Sequence, residues 1–95
     1  IKVTIKGSAI DMEWNGLFHL TDVLFNHILI DLKEKQGITR HEQEICCLVK
    51  WNFSRKEQLA VFNNTSEALT KSKNRLKKKL RLDEKADLDQ FIRLY

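Results

Sequence analysis

Across ninety-five residues there is no proline, and there are only three glycines, Gly7, Gly16 and Gly37. Tight chain reversals draw on residues that accept positive φ or that pre-set a turn, so a sequence this poor in them cannot make many hairpins. The scarcity argues against a sandwich or barrel and for a mainly α fold, a helical bundle. The length suits one domain whose folding covers about 60–70% of the surface of the unfolded chain. A hydrophobic content of 42% leaves no run of about 18 apolar residues, so no membrane insertion is expected. The chain opens on Ile1, shows no leader pattern and carries its one methionine at Met12; a piece of a longer protein is the expectation. Cys46 and Cys47 are adjacent and diverge by about 100° on a helix, so they do not bridge. They read as small apolar residues in a reducing, cytoplasmic compartment.

Charge is unevenly placed. Residues 1–37 hold four basic and five acidic groups, a balance of −1, and residues 83–95 hold two and four, a balance of −2. Residues 38–82 hold eleven basic against four acidic groups, a balance of +7. Lys71, Lys73, Arg75, Lys77, Lys78, Lys79 and Arg81 fall within eleven residues with no acid among them. That is the electrostatic footprint of a polyanion-binding element, and equally the composition of a solvated helix face.

Local patterns divide the chain. Ile1, Val3 and Ile5 alternate with Lys2 and Thr4, the period of a half-buried strand. A lone strand is unstable, so its partner is a second copy of the chain or an upstream domain, of which residues 1–10 would be a remnant. From Asp11 to about Lys35 the apolar spacing turns helical, as one long helix or two, with Thr21 or Asp22 as a cap between them and Gly37 as the stop. Residues 11–37 thus form an N-terminal helical extension. Thr39 and Glu42 make a capping box that starts a helix burying Ile45, Leu48 and Val49, and Asn52 closes it. Ser54 and Glu57 repeat the box before a short helix from Arg55 to about Phe62 that buries Leu59 and Phe62. After Asn63-Asn64, Thr65 or Ser66 caps a helix running to about Leu82 with a sparse stripe of Leu69, Leu76 and Leu80. Leu88, Phe91, Ile92 and Tyr95 mark the apolar face of a last helix.

A short helix, a tight turn and a longer basic helix form the layout of a helix-turn-helix, whose second helix enters the major groove. Thr70, Lys71 and Asn74 lie on the polar side of the early turns of the helix at about 66–82, where side chains reach base edges; Lys and Asn match guanine and adenine. Lys73, Lys77, Lys78 and Arg81 are placed for backbone phosphates.

Residues 38–82 resemble the LuxR-type (GerE-type) DNA-binding domain, most closely its divergent form at the C-terminus of Bacteroidetes transcriptional regulators. The opening phrase is Ile38-Thr39-Arg40-His41-Glu42-Gln43-Glu44, the second Ser54-Arg55-Lys56-Glu57, and the closing one Arg75-Leu76-Lys77-Lys78-Lys79-Leu80. The family usually has glycine where Asn52 and Arg81 stand, an isoleucine-alanine pair at Gln58-Leu59, and a threonine at Ala68. The resemblance implies base contacts from Thr70, Lys71 and Asn74, backbone contacts from Ser54, Lys56, Ser66, Lys77 and Lys78, and dimerisation through Leu88, Phe91, Ile92 and Tyr95. Packing within one chain is the alternative for that last face. Residues 38–95 would then be the output domain of a bacterial transcriptional regulator. Its implied partners are double-stranded DNA, a second copy in a homodimer, RNA polymerase and an upstream sensor domain.

No catalytic constellation is visible, so no enzyme, cofactor or metal is expected. His19, His27 and His41 are scattered, the cysteines lack zinc-site spacing, and there is no glycine-rich phosphate loop. Two other readings stand beside DNA-binding regulation. One is a helical interaction or dimerisation module using the aromatic helix at 14–32; the other is a sigma-factor region 4-like domain.

Overall fold

The computed structural model describes residues 2–5, 8–11 and 13–95, with side chains from residue 13 onward. Strand β1 (Lys2–Ile5) pairs antiparallel with β2 (Ser8–Asp11), in the register Lys2 opposite Asp11 and Ile5 opposite Ser8. The partner expected from a second copy or an upstream domain is therefore residues 8–11 of the same chain. Asp11 ends a strand rather than opening a helix.

Six helices follow. The expected stretch from 11 to 35 is two helices, α1 (Trp14–Leu24) and α2 (Ile28–Gln36). Asn26 and His27 are both left-handed, at φ 56° and 58°, which no helix tolerates in its interior. Asp22 makes the break tenable: its Oδ1 accepts the Leu29 N–H at 2.8 Å, satisfying a donor that α2 would otherwise leave open. Thr21 is no cap. It is buried inside α1, where its hydroxyl donates to the Leu17 carbonyl at 2.6 Å and accepts the Trp51 indole N–H at 2.8 Å. Gly37, at φ 65°, ends α2 by returning its N–H to Lys33.

Helix α3 (Arg40–Lys50) starts on the Thr39–Glu42 capping box. Five consecutive residues, Ile45 to Val49, are fully buried, so neighbours cover α3 on every side. Helices α1 and α2 pack on it together with α5 (Ser66–Lys79) and α6 (Leu88–Leu94). Asn52 closes α3 at φ 66°, with Phe53 N–H bonded back to Leu48, the Schellman arrangement. The core runs from Leu17 and Ile28 through Ile45 and Leu48 to Leu69, Leu76 and Ile92. Residues 14–37 and 38–95 thus share one core. The aromatic residues Trp14, Phe18 and Phe25 are half-buried against it, while Val23, Leu24 and Ile30 of the same stretch remain exposed.

Helix α4 (Arg55–Phe62) departs from expectation. Leu59 and Phe62 are half-buried, and its one fully buried side chain is Gln58. Cys46 and Cys47 are buried and unbridged, and burial pushes the Cys47 thiol up to about 12. Among the described residues no helix is long and apolar enough to cross a membrane, and no cluster of His, Cys, Asp and Glu could hold a metal ion.

Candidate nucleic-acid interface

Three residues join α4 to α5. Asn63 is left-handed at φ 49°, the Asn64 side chain accepts the Thr65 N–H at 3.0 Å, and the Thr65 hydroxyl accepts the Ala68 N–H at 3.1 Å. Each contact is local, so the turn is set by its own residues. Helix α5 then ends at Lys79, short of the expected Leu82, because Arg81 adopts φ 58° and Leu82 returns its N–H to Lys77. Asn52 and Arg81, the two positions where the LuxR-type pattern usually carries glycine, are both left-handed helix ends.

The inward face of α5 is Leu69, Lys73, Leu76 and Leu80, at spacings of four, three and four. Lys73 is the correction to the expected phosphate contacts. It is only 9% exposed, and its Nζ lies 2.9 Å from Asp89 Oδ1 on α6. Asp89 Oδ2 accepts from Gln58 Nε2 at 3.4 Å, and the same nitrogen donates to the Phe53 carbonyl at 2.9 Å. Gln58, Lys73 and Asp89 therefore fasten α4, α5 and α6 together, and Lys73 faces a carboxylate instead of solvent. Among the described residues, Gln58 Oε1 is buried without a partner.

Lys79 is also withdrawn from the basic run. Its Nζ lies 2.6 Å from Glu42 Oε1, which also accepts the Thr39 N–H at 2.7 Å. Burial works to raise the Glu42 carboxyl, but the bonds from Lys79 and Thr39 outweigh it and hold the group below the usual carboxylate range. This pair ties the end of α5 to the start of α3.

The rest of the run faces outward. Thr70, Lys71, Asn74, Arg75, Lys78 and Arg81 are exposed. Lys77 is half-buried and donates to the Glu84 carbonyl at 2.6 Å, a neutral partner that leaves its charge uncancelled. Among the described residues, Lys71, Arg75, Lys77, Lys78 and Arg81 are therefore the cations of this run not paired with a carboxylate. Asn74 and Lys77 stand between two shallow hollows of about 300 and 320 Å³, the first shared with Arg55 and Thr70, the second with Lys78 and Leu82.

Of the other expected contacts, Lys56 is exposed and makes no hydrogen bond among the described residues. The Ser54 hydroxyl caps α4 by accepting the Glu57 N–H at 3.2 Å. The Ser66 hydroxyl is 2.9 Å from Arg55 Nη2. Arg55 is the residue that sequence reasoning passed over. It reaches Ser66 and Thr70, eleven and fifteen residues further on, a relation no local pattern encodes.

The expected dimer face divides. Leu88 and Ile92 are 4% and 0% exposed and lie in the chain's own core beside α3, because α6 must bury its apolar stripe and α3 is at hand. Phe91 is half-buried against Tyr95, and Tyr95 and Leu94 remain exposed. Packing within one chain buries Leu88 and Ile92 and partly covers Phe91, leaving Tyr95 as the exposed member of the four. Comparison of the chain with family models, curated proteins and solved structures gives no match.

Proposed function

We propose that residues 38–95 bind double-stranded DNA as the output module of a bacterial transcriptional regulator, with α5 as the recognition helix in the major groove. One observation carries the reading. A helix anchored on one side by Leu69, Leu76 and the Lys73–Asp89 pair presents, on the other, Lys71, Asn74, Arg75 and Lys78, with Arg81 just past its end and no acid between Lys71 and Arg81. A three-residue turn fixes its start against α4. Phosphate contacts supply affinity and carboxamide or ammonium groups supply base discrimination, and this face holds both kinds. The likeness to the LuxR-type layout supports the same assignment.

Counterion release gives the test. If three to five of the unpaired cations neutralise phosphates, log K falls with log salt at a slope of about −3 to −4.5. Anisotropy of a fluorescent random-sequence duplex, titrated at several salt concentrations, measures it. The Lys77→Ala/Lys78→Ala variant should flatten the slope by about 1.8. A folded protein with no salt-dependent binding at low ionic strength would rule the reading out.

A further inference from the structure

The three side chains expected to read bases are not equivalent once folded. Arg55 opens α4, and its Nη2 lies 2.8 Å from the Ser66 carbonyl, 2.9 Å from Ser66 Oγ and 2.7 Å from Thr70 Oγ1. Thr70 Oγ1 also donates to the Ser66 carbonyl at 2.9 Å. A hydroxyl has one hydrogen and two lone pairs. With the hydrogen on Ser66 and one lone pair on Arg55, Thr70 keeps a single acceptor position. Lys71 and Asn74 are exposed and make no hydrogen bond among the described residues. The Asn74 carboxamide keeps a donor and an acceptor side by side, the pattern that pairs with an adenine edge, and the Lys71 ammonium can donate to guanine. Arg55 thus bridges the start of α4 to the first turn of α5. Rotation of α5 about its own axis at that point would move Lys71 and Asn74 relative to a base edge.

We infer, on the reading that α5 enters the major groove, that Arg55 is a positioning residue for base recognition: it locks the first turn of α5 against α4 and holds Thr70 as a support, leaving Lys71 and Asn74 as the reading pair. All three contacts converge on one guanidinium nitrogen, Nη2, whose hydrogens are held in the plane of the group at fixed angles, whereas an ammonium is a point charge on a flexible stem.

The test uses the duplex recovered when the wild-type chain selects from a random library, alongside a scrambled duplex of the same composition, both followed by anisotropy across a salt series. Arg55→Ala and Thr70→Val should each lower the preference for the selected duplex about tenfold, and Thr70→Ser should retain it. Arg55→Lys should keep the wild-type salt slope yet lose most of the preference. The Arg55→Ala/Thr70→Val double variant should lose no more than Arg55→Ala alone, since that change already removes the contact that Thr70→Val breaks. Far-UV circular dichroism of each variant verifies folding, and Thr70→Val, nearly isosteric on an exposed face, serves if Arg55→Ala unfolds. Full preference in Thr70→Val or in Arg55→Lys overturns the positioning role, as do losses that add in the double variant. A wild type that binds with a salt slope but enriches no sequence leaves DNA binding standing and overturns the positioning role alone. A wild type that binds no duplex overturns both.

Discussion

Replacing Asp89 by alanine takes away the carboxylate that faces the Lys73 ammonium at 2.9 Å. At an effective dielectric constant of about 20, that separation corresponds to a gross attraction of about 6 kcal/mol, most of it offset by desolvation of the two groups. Removing one partner of a fully buried pair costs about 3–5 kcal/mol because the other charge is stranded. The Lys73 and Asp89 side chains keep 11% and 21% exposure, so the lysine regains some water and the expected cost falls to about 2–3 kcal/mol. In a domain of this size that lowers the melting temperature by about 8–24 °C. The reverse change should be milder. Lys73→Met puts an apolar chain into the stripe between Leu69 and Leu76, and Asp89, the more exposed partner, keeps its bond from Gln58; about 1 kcal/mol is expected. Urea unfolding followed by circular dichroism measures both, with m unchanged. Lys73→Met should also leave the salt slope of duplex binding as in the wild type. A cost below about 0.5 kcal/mol for Asp89→Ala, a larger cost for Lys73→Met than for Asp89→Ala, or a flattened slope in Lys73→Met would refute this account of the pair.

Arg81→Gly relieves a left-handed arginine at φ 58° and should stabilise the chain by about 0.5–1 kcal/mol in thermal melts. If Arg81 also meets phosphate, the same variant flattens the salt slope by about 0.9, so stability and binding move in opposite directions. Leu88→Ala should cost about 2–4 kcal/mol by denaturant titration whatever the oligomeric state, because the side chain lies in the core. Leu94→Ala, at a position 78% exposed, should change stability by less than about 0.5 kcal/mol. The Glu42 carboxyl is held below its unfolded value, so its contribution is fully present above about pH 4.3 and is lost as pH falls through the lowered folded value. Glu42→Gln should lower stability at pH 7 and make the acid limb of a stability–pH curve shallower.

Signals that lie within one turn of the chain were legible in advance. The Thr39–Glu42 and Ser54–Glu57 boxes, the stop at Gly37 and the left-handed Asn52 each depend on residues no more than five apart, and each forms as its local chemistry directs. The exposure of Lys71, Asn74 and Lys78 follows from the same helical periodicity that buries Leu69 and Leu76. Lys73 occupies a register equally compatible with the apolar stripe, and only the arrival of Asp89, sixteen residues later, holds its charge inside. Arg55 finds Thr70 across fifteen residues, Gln58 finds Asp89 across thirty-one, and Asp22 makes the break at Asn26-His27 tenable by reaching forward to Leu29. A cap or a turn closes its hydrogen bonds among near neighbours, so the sequence alone determines it. Whether a long charged side chain reads a ligand or braces the fold depends on which counter-charge the packing of distant helices brings within 3 Å, and that only the tertiary structure decides.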